Sequence, residues 1–376
     1  MIPRTGIILL LSLLLLLSGC TRTEDTIKVY SDRPEVAELV NLFNQSQDLY
    51  TAVFTYTSGT SEEPVNPGLH DIVIAGGLHS SRNKERLSDL NSLRNSSFVK
   101  SVYPELLKTG ITGTSLRAIP LSASLPVIIS GEKISRGKYI SWSELSDFAS
   151  GFNIVQEDSL RNTGFSPLWS EVFVTSWYNN SISSYSTEVR ENSFRDFDRL
   201  SAELKQWIIE NNGSMEMCRA FSDKYRYIPD YRLIINGRIA CTVLSLEEWA
   251  LLPDTITREL TPGILKFEEG LQSTEILSAG IPAEPANPEG ALIFMNWLLE
   301  ESTWEDYLTL LARSRDESFA FLGGISASEK LNTGLLLRYY PWMEPYAPRA
   351  GEWSIQPEVE TQWPLVWDKL LLPLVM

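Results

Sequence analysis

The side chains of this chain that could do chemistry are carboxylates, hydroxyls and aromatic rings, because its 376 residues hold only 2 His and 3 Cys. His70 and His79 are too few for a zinc site of three or four ligands unless carboxylates complete it. Gly164-Phe165-Ser166-Pro167-Leu168 lacks the closing glycine of a hydrolase nucleophile elbow, and the chain has no P-loop. Glycoside hydrolysis needs opposed carboxyls about 5–10 Å apart, whereas the side chains of neighbours such as Glu62-Glu63, Glu247-Glu248 and Glu300-Glu301 point apart. No catalysis, metal or cofactor is therefore expected. What remains suits the holding of a small molecule: a few polar groups to orient it and flat rings to cover its apolar faces.

The elements that would position such groups follow from periodicity. Ile27-Lys28-Val29-Tyr30 reads as a strand, and Val36, Leu39, Val40 and Phe43 repeat at helical spacing behind Ser31, Asp32 and Pro34. Thr51 to Thr57 alternates as a strand, and Asp71-Ile72-Val73-Ile74-Ala75 is a continuous apolar one. Strand, helix, strand in that order predicts a parallel sheet covered by helices, an α/β fold. Ligands collect at the carboxyl ends of such strands. The loops there offer Asp32, Ser58, Thr60, Gly77 and His79. Each has a plainer role: Asp32 as a helix N-cap, Ser58 and Thr60 in a turn, Gly76-Gly77 as tight backbone, and His79 as a solvated loop residue.

Ile119 to Ile129 is a long extended stretch with Pro120 and Pro126 near its ends, suited to crossing between two lobes. Ser141 reads as the N-cap of a helix beginning Trp142-Ser143-Glu144-Leu145. Phe194, Phe197, Leu200, Leu204, Trp207 and Ile208 share one helical face. Asn236-Gly237 sits between two apolar runs, as a hairpin turn or as a helix end before a strand. A further helix follows Asn287-Pro288-Glu289, with Trp297 and Trp304 at core spacing. Aromatic candidates for ligand contact beyond the first loops are Phe165, Trp169, Trp249, Tyr340, Trp342 and Trp363, with Glu247 as a polar partner.

The amino terminus reads as an address. Arg4 precedes an apolar run from Ile7 to Leu17, too short to span a membrane, and Leu17-Ser18-Gly19-Cys20 follows. This resembles a bacterial lipoprotein signal: cleavage after residue 19 and acylation of Cys20 (diacylglycerol, palmitate) would fix residues 20–25 as a tether at the cell membrane, facing the periplasm or the extracellular space. There Cys218 and Cys241 could pair, or stay as buried thiols. The net charge of −16 disfavours nucleic acid as a partner.

Several separated stretches together resemble the extracellular solute-binding proteins of ABC importers, the group that includes sugar- and maltose-binding proteins. They come in family order: Ile27 to Asn44; Asp71-Ile72-Val73-Ile74; Ile119 to Pro126; Ser141-Trp142-Ser143-Glu144-Leu145; Asn236 to Cys241; Pro285 to Ala291 with Phe294 and Leu298; and Trp363 to Leu374. Ser130-Gly131-Glu132-Lys133 and Leu244 to Trp249 depart from the family pattern. The resemblance implies a two-lobed, type II periplasmic-binding-protein-like α/β fold with a hinge and an interlobe cleft. It divides the chain into a first lobe of 26–121 plus 277–312 and a second of 124–244 plus 319–376, with crossings at 122–126, 245–276 and 313–318. It adds weight to Phe165, Glu247, Trp249 and Trp363 as ligand contacts. It also implies a monomer that grips a neutral sugar or oligosaccharide and passes it to an ABC permease. A sensor or surface-adhesion lipoprotein, or more remotely a glycoside-acting enzyme, is the other reading.

Overall fold

The computed structural model describes residues 25–57, 65–66, 68–135, 137–157, 159–183, 193–314 and 318–355. The signal segment, Cys20, Ser58, Thr60 and Trp363 lie outside the described residues. In chain order the main strands begin with β1 (Thr26–Ser31), β2 (Thr51–Tyr56), β3 (Ile72–Ala75), β4 (Ile119–Ser124) and β5 (Pro126–Ser130). They continue with β6 (Tyr139–Ser141), β7 (Cys241–Ser245), β8 (Thr261–Lys266), β9 (Glu275–Gly280) and β10 (Ile325–Ser326). A six-stranded sheet runs β10-β4-β9-β3-β1-β2, and a four-stranded sheet runs β7-β5-β8-β6. Each is the centre of one lobe.

β1 pairs in parallel with β2 and β3, while β9 runs antiparallel to β3 and β4. All four residues of β3 are buried, as a strand covered on both faces requires. The helix Val36–Ser46 turns Val36, Leu39, Val40 and Phe43 inward. The Phe43 ring meets those of Phe294 and Trp297, 4.9 and 5.2 Å away on the helix Pro288–Leu298. In the second lobe Ser141 caps the helix Trp142–Ser150 through a reciprocal box with Glu144, the start that its sequence signalled. Trp142, Phe165, Phe173 and Trp207 pack as one aromatic cluster with centroids 4.9–6.2 Å apart. Asn236 follows the helix Asp230–Ile235 and Gly237 takes φ +64°, so this stretch is a helix end before β7 and not a hairpin.

The chain changes sheets at Leu125, between β4 and β5, and returns between β8 and β9. Two expected boundaries move. β8 belongs to the second sheet, so the crossing drawn at 245–276 shrinks to about residues 267–274. The stretch from Phe319 was expected in the second lobe, yet Ile325 and Ser326 pair with Ala123 and Ser122 in the first sheet. The chain then bridges the lobes: Tyr103 Oη donates to Pro348 O at 2.9 Å, and Tyr346 Oη donates to Pro262 O at 3.2 Å.

Cys218 and Cys241 are free and buried. Burial pushes the Cys218 thiol up to about 11 and raises that of Cys241 further. A raised thiol value withholds the thiolate, which is the reactive form. Native protein at pH 8 is therefore expected to leave both residues unalkylated by iodoacetamide, and denatured protein to label at both, as read by peptide mass; fast native labelling would contradict this burial. Among the described residues no helix is long and apolar enough to cross a membrane, and no His, Cys, Asp and Glu cluster could hold a metal ion.

Candidate ligand-binding cleft

Because β1 and β3 are parallel and β9 runs against them, the ends of β1 and β3 and the start of β9 share one sheet edge. Asp32 and Arg33 leave β1 there, Gly76 and Gly77 leave β3, and Glu275 opens β9. Ser31 Oγ accepts the Arg33 N–H at 2.9 Å and sets the turn. Asp32 Oδ2 accepts the Gly76 N–H at 3.2 Å, tying the two loops together. Asp32 is thus not the helix N-cap: the helix starts at Val36, with Glu35 before it and no side-chain cap. The second Asp32 oxygen, Oδ1, is buried without a partner among the described residues, as is Glu35 Oε2.

Glu247 reaches this edge from the other lobe. It lies in the helix Leu246–Ala250 that leaves β7, which Ser245 and Glu248 cap and whose first N–H donates to Leu125 O at 2.9 Å. The Arg33 guanidinium bonds to the Glu275 carboxylate in its own lobe and lies 3.7 Å from Glu247 Oε2 across the interface. Two glycines leave room for these acids. A Cβ on Gly76 would stand 2.9 Å from Glu275 Oε1, and one on Gly323 would stand 2.7 Å from Glu247 Oε2. Gly323 also has φ +85° and follows Ala320 and Leu322 at +43° and +54°, a run of left-handed backbone of the kind that stores strain beside functional sites.

Burial raises the Asp32 carboxyl above its ordinary range, against the Gly76 N–H and the Arg33 charge, which lower it. Burial likewise raises Glu247; Arg33 opposes, while Glu35 and Glu248 add to the rise. The edge is therefore a dense acidic patch around one guanidinium, able to accept hydrogen bonds from hydroxyl or N–H groups.

The other expected contacts divide. Tyr340 Oη accepts the Ala320 N–H at 3.2 Å and its ring packs 4.9 Å from Phe319, so Tyr340 braces the strained segment. Trp342 lies 6.1 Å from Phe319 and 6.5 Å from Tyr346, and is 39% exposed. Trp169 is half-buried, stacked on Phe221 at 5.5 Å with its Nε1 donating to Ser222 Oγ at 2.6 Å. Gly77 and His79 stand in the turn after β3: Gly77 has φ +69° and its carbonyl accepts from Asn83 Nδ2 at 3.0 Å, so it holds backbone geometry, while His79 is half-buried. Phe165 and Trp249 must be corrected: Phe165 is wholly buried and Trp249 is 6% exposed, so both rings belong to the core. Sequence reasoning missed Arg33, Glu35, Glu275 and Gly323. Only Arg33 and Glu35 had a local signal, as charges beside Asp32 at a strand end.

No family model matches the sequence, and no curated protein matches it. Solved structures do. A cyclo/maltodextrin-binding protein complexed with maltotetraose aligns over 95% of this chain and 92% of its own, at TM-score 0.59 and 12% identity. The sugar-binding protein MalE from the phytopathogen Xanthomonas citri aligns over 92% and 89%, at 0.62 and 12%. The chain has the two-lobed solute-binding fold. Thiaminase I from Bacillus thiaminolyticus shares it, over 93% of this chain and 100% of its own, at TM-score 0.61 and 15% identity. The solute-binding fold therefore hosts binders and an enzyme alike, and the chemistry of this chain must be argued from its own cleft.

Proposed function

We propose that the chain is the extracytoplasmic substrate-binding lipoprotein of an ABC importer, which grips a small solute between its lobes and delivers it to a membrane permease. The observation that carries this reading is the converging edge: polar groups of Asp32, Arg33, Glu275 and Glu247, drawn from both lobes, meet at strand ends of a fold whose solved neighbours include carriers of bound oligosaccharides. The cargo favoured is a carbohydrate. Acidic acceptors orient hydroxyl donors, and an exposed ring such as Trp342 suits the C–H face of a sugar. Cys20 would hold the protein at the membrane through its acyl chains.

A solute that binds the folded state alone stabilises it by about 2.7 kcal/mol at a hundred times its Kd. A screen of oligosaccharides is expected to find one that raises Tm by roughly 3–6 °C at such excess. No response from any sugar, together with a response to a peptide, polyamine or metal, would remove the carbohydrate assignment. The thiaminase neighbours give a second reading, an enzyme, its own specific test: sustained release of product from a bound solute, which a pure carrier does not show.

A further inference from the structure

We propose that the cleft floor couples the approach of the two lobes to proton uptake, and that Glu247 is the group that takes the proton. Glu247 is the carboxylate supplied by the second lobe, and it enters a floor already crowded with charge. From the first lobe it faces Arg33 after β1 and Glu35 at the start of the helix Val36–Ser46; Arg33 itself holds Glu275 at the start of β9 and adjoins Asp32. The segment of Gly323 presents backbone to it, and Glu248 adjoins it on its own helix, with the Glu248 carboxylate engaged by the Ser245 N–H at 2.7 Å. One guanidinium thus serves several acids.

Its closer partner is Glu275, within the same lobe; the Glu247 oxygen at 3.7 Å is beyond hydrogen-bonding reach. Separating the lobes would return Glu247 to water and leave the Arg33–Glu275 pair intact. Bringing them together strips water from a carboxylate that gains one shared charge, Arg33, and one like-charged neighbour, Glu35, beside the Glu248 it already has. An under-compensated buried carboxylate favours its neutral form. A proton from the buffer then binds a carboxylate oxygen and leaves an uncharged carboxyl.

The direction follows. On this proposal the lobes-together state holds the Glu247 proton more tightly than the separated state, in keeping with the rise that burial gives that carboxyl above its ordinary range. Acidification therefore favours it, and the preference is lost as pH rises through and beyond the raised value. Because the effect is read without a solute, it stands or falls apart from the identity of the cargo.

The test is single-molecule FRET on the full chain without solute, from pH 4.5 to 8. Dyes go on Leu292→Cys in the first lobe and Tyr227→Cys in the second, at residues 40% and 90% exposed. Cys20→Ser removes the remaining reactive thiol. The ratio of compact to open molecules is expected to rise on acidification by about two- to fivefold, the scale of one partly exposed ion pair. Glu247→Gln is expected to be as compact at pH 7.5 as the parent is in acid, with a flattened profile. Arg33→Gln, which removes the one attraction for the charged form, is expected to move the midpoint to higher pH. A flat parent profile, or a Glu247→Gln protein that keeps the parent's, would overturn the proposal; a shift of the Arg33→Gln midpoint to lower pH would do the same.

Discussion

Phe165→Ala is expected to lower stability by about 3–5 kcal/mol while leaving solute affinity unchanged. The ring is wholly buried and meets Phe173 edge-on at 5.1 Å, Trp207 at 6.0 Å and Trp142 at 6.2 Å. Its own carbonyl accepts from Asn212 Nδ2 at 2.9 Å, tying the segment to the end of the helix Ser193–Asn212. Truncation removes the lining contacts of three rings at once, in a core whose backbone cannot collapse freely. The neighbour Gly164 shows why: a Cβ there would stand 1.9 Å from Ala149 O, so this segment already touches the helix Trp142–Ser150. Urea unfolding should show the lower midpoint with an unchanged slope. Below the transition, the dissociation constant for the solute found by thermal screening should match that of the parent. A stable Phe165→Ala protein with lost affinity would return this ring to the cleft wall.

That prediction reverses an expectation, and the reason is physical. An aromatic residue beside a small loop, as in Gly164-Phe165-Ser166, has the same local pattern whether its ring faces a ligand or a helix. The choice is made by partners from 8 to 42 positions away, Phe173, Trp142 and Trp207, whose packing on one side of the ring local spacing does not place. Where neighbours in sequence decide, the reading was direct. The face of Val36, Leu39, Val40 and Phe43, the apolar run of β3, and the Ser141–Glu144 cap all follow from spacing within a few residues. The cleft floor is the opposite case. Glu275 meets Arg33 only because β9 runs against β3, and Glu247 arrives from the other lobe. Asp32 looked like a cap because an Asp ahead of a helical run usually is one. Its carboxylate instead turns to Gly76, 44 residues on.

Asp71→Ala is expected to cost about 3–6 kcal/mol, from the loss of two hydrogen bonds, one buried and one part-buried, to a charged acceptor at about 1.5–3 kcal/mol each. Asp71 is wholly buried just ahead of β3. Its Oδ2 accepts the Lys28 N–H of β1 at 2.8 Å, and its Oδ1 accepts the Asn287 N–H at 2.7 Å. Asn287 in turn caps the helix Pro288–Leu298 through the Gly290 N–H at 2.8 Å and donates to Thr26 O at 3.2 Å. One carboxylate therefore fastens β1, β3 and a helix that covers them, and without it two backbone N–H groups lose their partner, that of Asn287 in a buried setting. Asp71→Asn keeps an acceptor for one N–H but points an amide donor at the other, so it should recover only part of the loss. This clamp lies at the start of β3, whereas Asp32 and Gly76 lie past the strand ends at the opposite edge. The clamp and the proposed recognition edge thus lie at opposite ends of the same strands. Denaturant midpoints should fall in the order parent, Asp71→Asn, Asp71→Ala, with the FRET response of the cleft to pH retained in the folded molecules. A lost pH response in folded Asp71→Asn would show that the two ends are mechanically joined.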